Sequence, residues 1–179
     1  MSAAENESVL FVGEAIRQFV ADSSLNTLGL SIAEPSFDAP LVGFSSGADP
    51  LYHEFRSHIG PFYYTPRDMF MAVFPGANAA AEELTVISWI IPSTRKTREE
   101  QAGQTKYPSE RWVRTRALGE DFNNHLRRHV VEQLLLRGGN AFAPLLSTVW
   151  SRSDEGPLRH VPTGRGGMYL RNSGYGKIN

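Results

Sequence analysis

The chain contains no cysteine. This excludes disulfides, a Cys-ligated zinc, an iron–sulfur cluster held by its own thiolates, and a thiol nucleophile. No apolar run approaches the roughly 18 residues that mark a membrane-spanning helix. The opening residues, MSAAENES, carry acidic rather than basic charge and precede no long apolar core, so no secretory signal is expected. No Gly-Lys-Ser/Thr ending completes a phosphate loop, and no GxSxG marks a hydrolase nucleophile. Internal repeats are absent too. A cytoplasmic protein is the expectation.

What is present supports one folded unit. The chain has 179 residues, 41% apolar and 21% charged, enough to bury a core and too little charge for compositional disorder. The formal net charge of −1 hides a division. Residues 1–90 hold 11 acidic and 3 basic side chains, a net of −8; residues 91–179 hold 8 acidic and 15 basic, a net of +7. The basic residues of the second half are nearly all Arg, suited to bidentate contact with phosphate or carboxylate. Two readings stand: the halves complement each other in the fold, or the second half faces an anionic ligand such as a phosphate-bearing cofactor or RNA.

Periodicity and punctuation place the elements. Glu7 to Ser23 separates into apolar and polar faces at helical spacing. Leu41 to Phe44, between Pro40 and Ser45, predicts a strand. Asp49-Pro50 predicts a helix start, with that helix running to about His58. Thr65-Pro66-Arg67-Asp68 predicts another, capped by Thr65 and ending before Pro75. Leu84 to Ile91 is β-branched, apolar on both faces and stopped by Pro92, which predicts a central strand. Residues 93–110 are polar and predict an exposed loop. Leu118 to Arg137 predicts a long helix stopped by Gly138-Gly139, and Ala143 to Trp150 a further strand. The expected fold is α/β of the α+β type. It has a mixed or antiparallel central sheet, with the 7–23 and 118–137 helices packed on it. Residues 1–150 form the domain, and 151–179 a Gly/Arg-rich loop or tail leading to a missing C-terminal part.

Short constellations carry little chemistry by themselves. His125 and His129 stand four apart on the long helix, but Arg127 and Arg128 oppose a cation there and no carboxylate completes HExxH. Gly164-Arg165-Gly166-Gly167 offers an anion nest or an RGG element, and equally a flexible basic loop. Tyr63, Tyr64, Trp89, Trp112, Trp150, Tyr169 and Tyr175 could line a flat cofactor or fill a core.

The order of segments is more specific. Leu41-Val42-Gly43-Phe44, Asp49-Pro50-Leu51, Ile59-Gly60-Pro61-Phe62 and Thr65-Pro66-Arg67-Asp68 follow one another, and Thr85 to Pro92 comes next. Ala117-Leu118-Gly119-Glu120-Asp121-Phe122 then opens the long basic helix, and Asn140 to Thr148, with Pro144, follows it. Over roughly residues 36–150 this series resembles the N-terminal part of the epoxyqueuosine reductase-like iron–sulfur proteins. The resemblance implies a cobalamin-binding α/β domain in an oxidoreductase of queuosine biosynthesis, a tRNA modification. It implies cofactor contacts at Arg116, Leu118, Gly119, Asp121 and Phe122, and Ser147 where the family has its proton-donating Asp. It also implies a ferredoxin-like domain or partner as electron source, because this chain has no cysteines for clusters. The family's Tyr-His pair appears here as Phe122-Asn123. The alternatives are a non-catalytic RNA- or protein-binding domain using Arg111, Arg114, Arg116, Arg127, Arg128 and the Gly-rich tail, or a flavin-type reductase domain; the substrate expected is a tRNA or a small molecule.

Overall fold

A computed structural model describes residues 7–29 and 34–150, and the backbone of 3–6 and 173–177. Its elements in chain order are α1 (Ala3–Asp22), β1 (Leu41–Ser46), α2 (Leu51–Ile59), α3 (Pro66–Val73), β2 (Thr85–Ile90), α4 (Arg95–Ala102), α5 (Glu110–Leu136), β3 (Asn140–Phe142) and β4 (Ser173–Lys177). The fold is α+β, as the sequence predicts.

The strands form one antiparallel sheet in the order β1-β2-β4-β3. β2 pairs on both sides, with Leu41 opposite Ile90 on β1 and Val86 opposite Tyr175 on β4. Alternation along the strands sorts their side chains into two cores. Ile87, Trp89 and Ala141 face α1 and α5, where Val12, Ile16, Val20, Phe122, Leu126, Val130 and Leu134 close the larger core. Val86 and Phe142 point the other way, against Tyr52 of α2 and Met69 and Phe70 of α3. An apolar strand at residues 84–91 therefore follows from helices covering both faces.

Local signals explain most boundaries. Thr65 closes a capping box with Asp68 at the start of α3. The Asp49 carboxylate accepts from the Leu51 N–H at 3.0 Å, ahead of α2. At the end of α5, Gly138 takes φ +79° while the Gly139 N–H reaches the Leu134 carbonyl at 3.1 Å, a left-handed stop that favours glycine.

Three expectations are corrected. Residues 93–110 are not a loop: α4 occupies Arg95–Ala102 and α5 begins at Glu110, two turns before Leu118. α4 has no apolar stripe to announce it, and its start rests on Thr94, whose hydroxyl accepts from the Thr97 N–H. Ser109 caps α5 in the same way through the Trp112 N–H. Ala143 to Trp150 is not a strand. Pro144 has no N–H for a ladder, and Pro144–Leu146 turns as a short 3₁₀ segment after β3 has ended at Phe142. Finally, within 151–179, Ser173–Lys177 is an interior strand of the sheet rather than loop or tail. The Gly164–Gly167 element lies outside the described residues.

Candidate functional site

The segment between α1 and β1 is folded back by one side chain. Asn26 Nδ2 donates to the carbonyls of Val20 and Phe37, at 2.9 and 3.1 Å. Its Oδ1 accepts from the N–H groups of Ser36 and Phe37, at 3.0 and 2.9 Å. This fixes Phe37 at the meeting point of three distant parts of the chain. Phe37 bridges to Ser93 beyond β2, and its ring stacks on Phe122 of α5 at 5.2 Å. Gly119 lets α5 approach: a Cβ there would stand 3.0 Å from Phe37 Cζ. One turn along, the buried Asn123 Oδ1 accepts from Trp89 Nε1 of β2 at 3.0 Å. The segments Thr85 to Pro92 and Ala117 to Phe122 thus meet beside the entrance to β1.

The expected cofactor residues do not share one surface. At helical spacing they spread around α5. Phe122 is 2% exposed and belongs to the core. Gly119 faces the Phe37 ring. Arg116, Leu118 and Asp121 are exposed, and Arg116 makes no ion pair among the described residues. Asp121 stands 3.8 Å from His125. Ser147 follows the 3₁₀ turn, where its Oγ donates to the Pro144 carbonyl at 2.7 Å.

The arginines proposed for RNA contact divide too. Arg127 is fully buried, with Nη1 donating to Glu120 Oε1 at 2.9 Å and Asn124 Oδ1 at 2.6 Å. Burial holds its pKa below the usual arginine value, against the pull of Glu120. Arg111 is also buried, paired to Glu34 at 2.5 Å. Arg114 pairs with Glu110 and donates to the Gly29 carbonyl. Arg116 and Arg128 remain exposed.

The charge division is partly internal. Among the described residues, three ion pairs join the acidic half to the basic half: Lys96 and Arg111 to Glu34, and Arg98 to Asp38. Arg98 also donates to the Ser93 carbonyl. The Arg111 and Lys96 partners hold the Glu34 carboxyl below its ordinary pKa. Sequence reasoning missed this cluster because Glu34 and its partners are more than 60 residues apart. It also missed the burial of Arg127, although Glu120, Asn124 and Arg127 stand at helical spacing that places them on one face.

His125 and His129 have different surroundings: His125 Nε2 stands 3.8 Å from Asp121. The His129 ring lies 4.9 Å from Phe19, and burial lowers its pKa while Glu132 opposes that shift. Among the described residues, no group of three or more His, Asp or Glu is placed to hold a metal ion. No described helix is long and apolar enough to cross a membrane.

Fold and site together define an α+β domain, with two helices on either face of a four-stranded antiparallel sheet and an Arg-rich helix along one side. Compared with protein-family models, curated proteins and solved structures, the chain matches none.

Proposed function

We propose that the chain is the cofactor- and substrate-binding module of an epoxyqueuosine reductase-like redox protein, with cobalamin as cofactor and a tRNA-modification substrate. The observation that carries this reading is the convergence at Phe37. Two of the segments that resemble the family, Thr85 to Pro92 and Ala117 to Phe122, lie together there beside β1.

Three exposed groups, spread around α5, suit a partly apolar, phosphate-bearing ligand large enough to wrap part of the helix. Arg116 offers an unpaired guanidinium for phosphate. Leu118, 40% exposed, offers apolar area, and Asp121 an acceptor for amide N–H groups. Gly119 and Phe122 hold this part of α5 against Phe37 from beneath. When bound, cobalamin supplies the redox chemistry at its cobalt. Electrons come from a ferredoxin-like domain or partner. The Ser147 hydroxyl keeps its proton on the Pro144 carbonyl, and a hydroxyl is a far weaker acid than a carboxyl, so this residue orients rather than protonates.

Mixing the purified chain with cobalamin and following corrinoid absorbance through gel filtration tests the reading. Co-elution at micromolar concentration, weakened by Arg116→Ala, is expected. Absence of co-elution, or a yellow protein that carries flavin instead, overturns it.

A further inference from the structure

A second cationic feature lies where α4 meets α5. The Glu34 carboxylate sits between Arg111 Nη1, at 2.5 Å, and Lys96 Nζ, at 3.3 and 3.4 Å. The Arg111 side chain is 9% exposed, while those of Lys96 and Glu34 are 66% and 26% exposed. Glu34 therefore lies between solvent and a buried guanidinium. That guanidinium is incompletely used: Arg111 Nε is buried without a hydrogen-bond partner, and Glu100 Oε2 stands 3.9 Å from it. One turn further along α5, Thr115 Oγ1 is likewise buried and without a hydrogen-bond partner.

The surroundings favour negative charge. The first four residues of α4 include Arg95, Lys96 and Arg98, at the helix end where the backbone dipole repels cations and attracts anions. Arg95 is paired with Glu99 and Arg98 with Asp38, which leaves Lys96 and Arg111 sharing Glu34. A carboxylate has two oxygens and meets two cations here. A phosphate group has three or four, enough to reach Arg111 Nε as well.

We propose that Lys96 and Arg111 form a phosphate-group site, filled by Glu34 in the free chain and taken over by a phosphate-bearing ligand that displaces it. The carboxylate is an internal competitor, so apparent affinity scales with the fraction of chains in which Glu34 stands away. Binding then requires Glu34 to give way, and the ligand replaces the charge that Arg111 loses. This site does not depend on the cobalamin reading, since any phosphate monoester presents three unesterified oxygens; a diester presents two, the number the carboxylate already offers.

The test is binding of inorganic phosphate to the full chain at constant ionic strength, with chloride as the matched control. Glu34→Gln should bind phosphate about tenfold or more tightly than the unaltered chain, because the competitor's charge is gone. Lys96→Ala, at an exposed position, should weaken binding about threefold in either background, as expected for one exposed charge contact. A parallel arm uses bulk tRNA. The same pattern there assigns the phosphate to a nucleic-acid backbone, and the pattern with inorganic phosphate alone assigns it to a small ligand. Equal affinity in the unaltered chain and Glu34→Gln overturns the proposal. If Glu34→Gln does not fold, unchanged phosphate binding in Lys96→Ala overturns it.

Discussion

Asn26 is the sharpest test of how this architecture is held. Its side chain makes four hydrogen bonds, two donated and two accepted, to the backbone of Val20, Ser36 and Phe37. Asn26→Ala removes all four and leaves the N–H of Ser36, a residue 1% exposed, without its acceptor. A net hydrogen bond contributes about 0.5–1.5 kcal/mol, and a stranded buried group costs about 1–3 kcal/mol. The site is only partly buried, so water recovers some of this, and about 3 kcal/mol is the expected loss. Against a typical domain stability of about 5–15 kcal/mol, that is a large fraction. With a urea slope near 2 kcal/mol/M, the midpoint should fall by about 1.5 M with the slope unchanged. Asn26→Asp keeps both acceptor contacts but turns a charged oxygen on the Val20 and Phe37 carbonyls, so it should also destabilise. Ser24→Ala, at an exposed position nearby, should stay within about 0.5 kcal/mol. A midpoint shift below about 0.5 M for Asn26→Ala would mean that the fold-back is held by packing of Phe37 and not by the amide, and the reasoning would fail.

Two further outcomes follow from the same contacts. Gly119→Ala gains about 0.8–1.0 kcal/mol of helix propensity but drives a Cβ to 3.0 Å from Phe37 Cζ, and overpacking of this kind costs about 1–3 kcal/mol. The Phe37 ring is backed by Phe122 and its backbone is held by Asn26, so the variant should be less stable by up to about 2 kcal/mol. Phe37→Leu in the same chain should recover part of that loss, whereas a stabilised single variant refutes the close approach. Tyr63 is buried beside Tyr52, and burial pushes its hydroxyl up to about 12, with Tyr52 adding to the shift and Arg56 opposing it. The folded value is raised, so its contribution to stability is complete below about pH 10, the unfolded value, and is lost as pH rises through about 12. The absorbance difference between the unaltered chain and Tyr63→Phe should show one phenol ionising near 12; ionisation near 10 would place that hydroxyl in water.

Two strands of the sheet, β1 and β2, were legible because their signals are local. Leu84 to Ile91 is apolar on both faces, and the cores on either side of β2 account for that directly. Thr65 with Asp68, and Gly138 with Gly139, punctuate helices through backbone geometry that needs no distant partner. α4 was hidden for the opposite reason: it is polar all round and owes its place to ion pairs with Glu34 and Asp38. β4 was hidden because Ser173-Gly174-Tyr175-Gly176-Lys177 carries almost no strand propensity of its own, and pairing on both sides defines it. In the candidate site, helical spacing showed that Phe122 and Leu126 share a face, but not that Gly119 faces an aromatic ring more than 80 residues upstream. The division of the arginines into buried and exposed depends on the same distant contacts.

The strand order has a kinetic consequence. Among the described residues, β3 has no strand neighbour other than β4, and β2 gains its second one from β4. On a ribosome, residues 41–142 emerge before that strand exists. β1 and β2 can pair at once, while the other edge of β2 stays open and β3 has no ladder to join. Sheet closure then waits for a contact between strands separated by more than 80 residues, and loop closure of that length slows folding. In that interval the unpaired β2 edge, with Val86 and Ile87, is the segment most exposed to wrong partners. A hydrogen-exchange pulse during refolding should therefore protect the β1–β2 amides before those of β3.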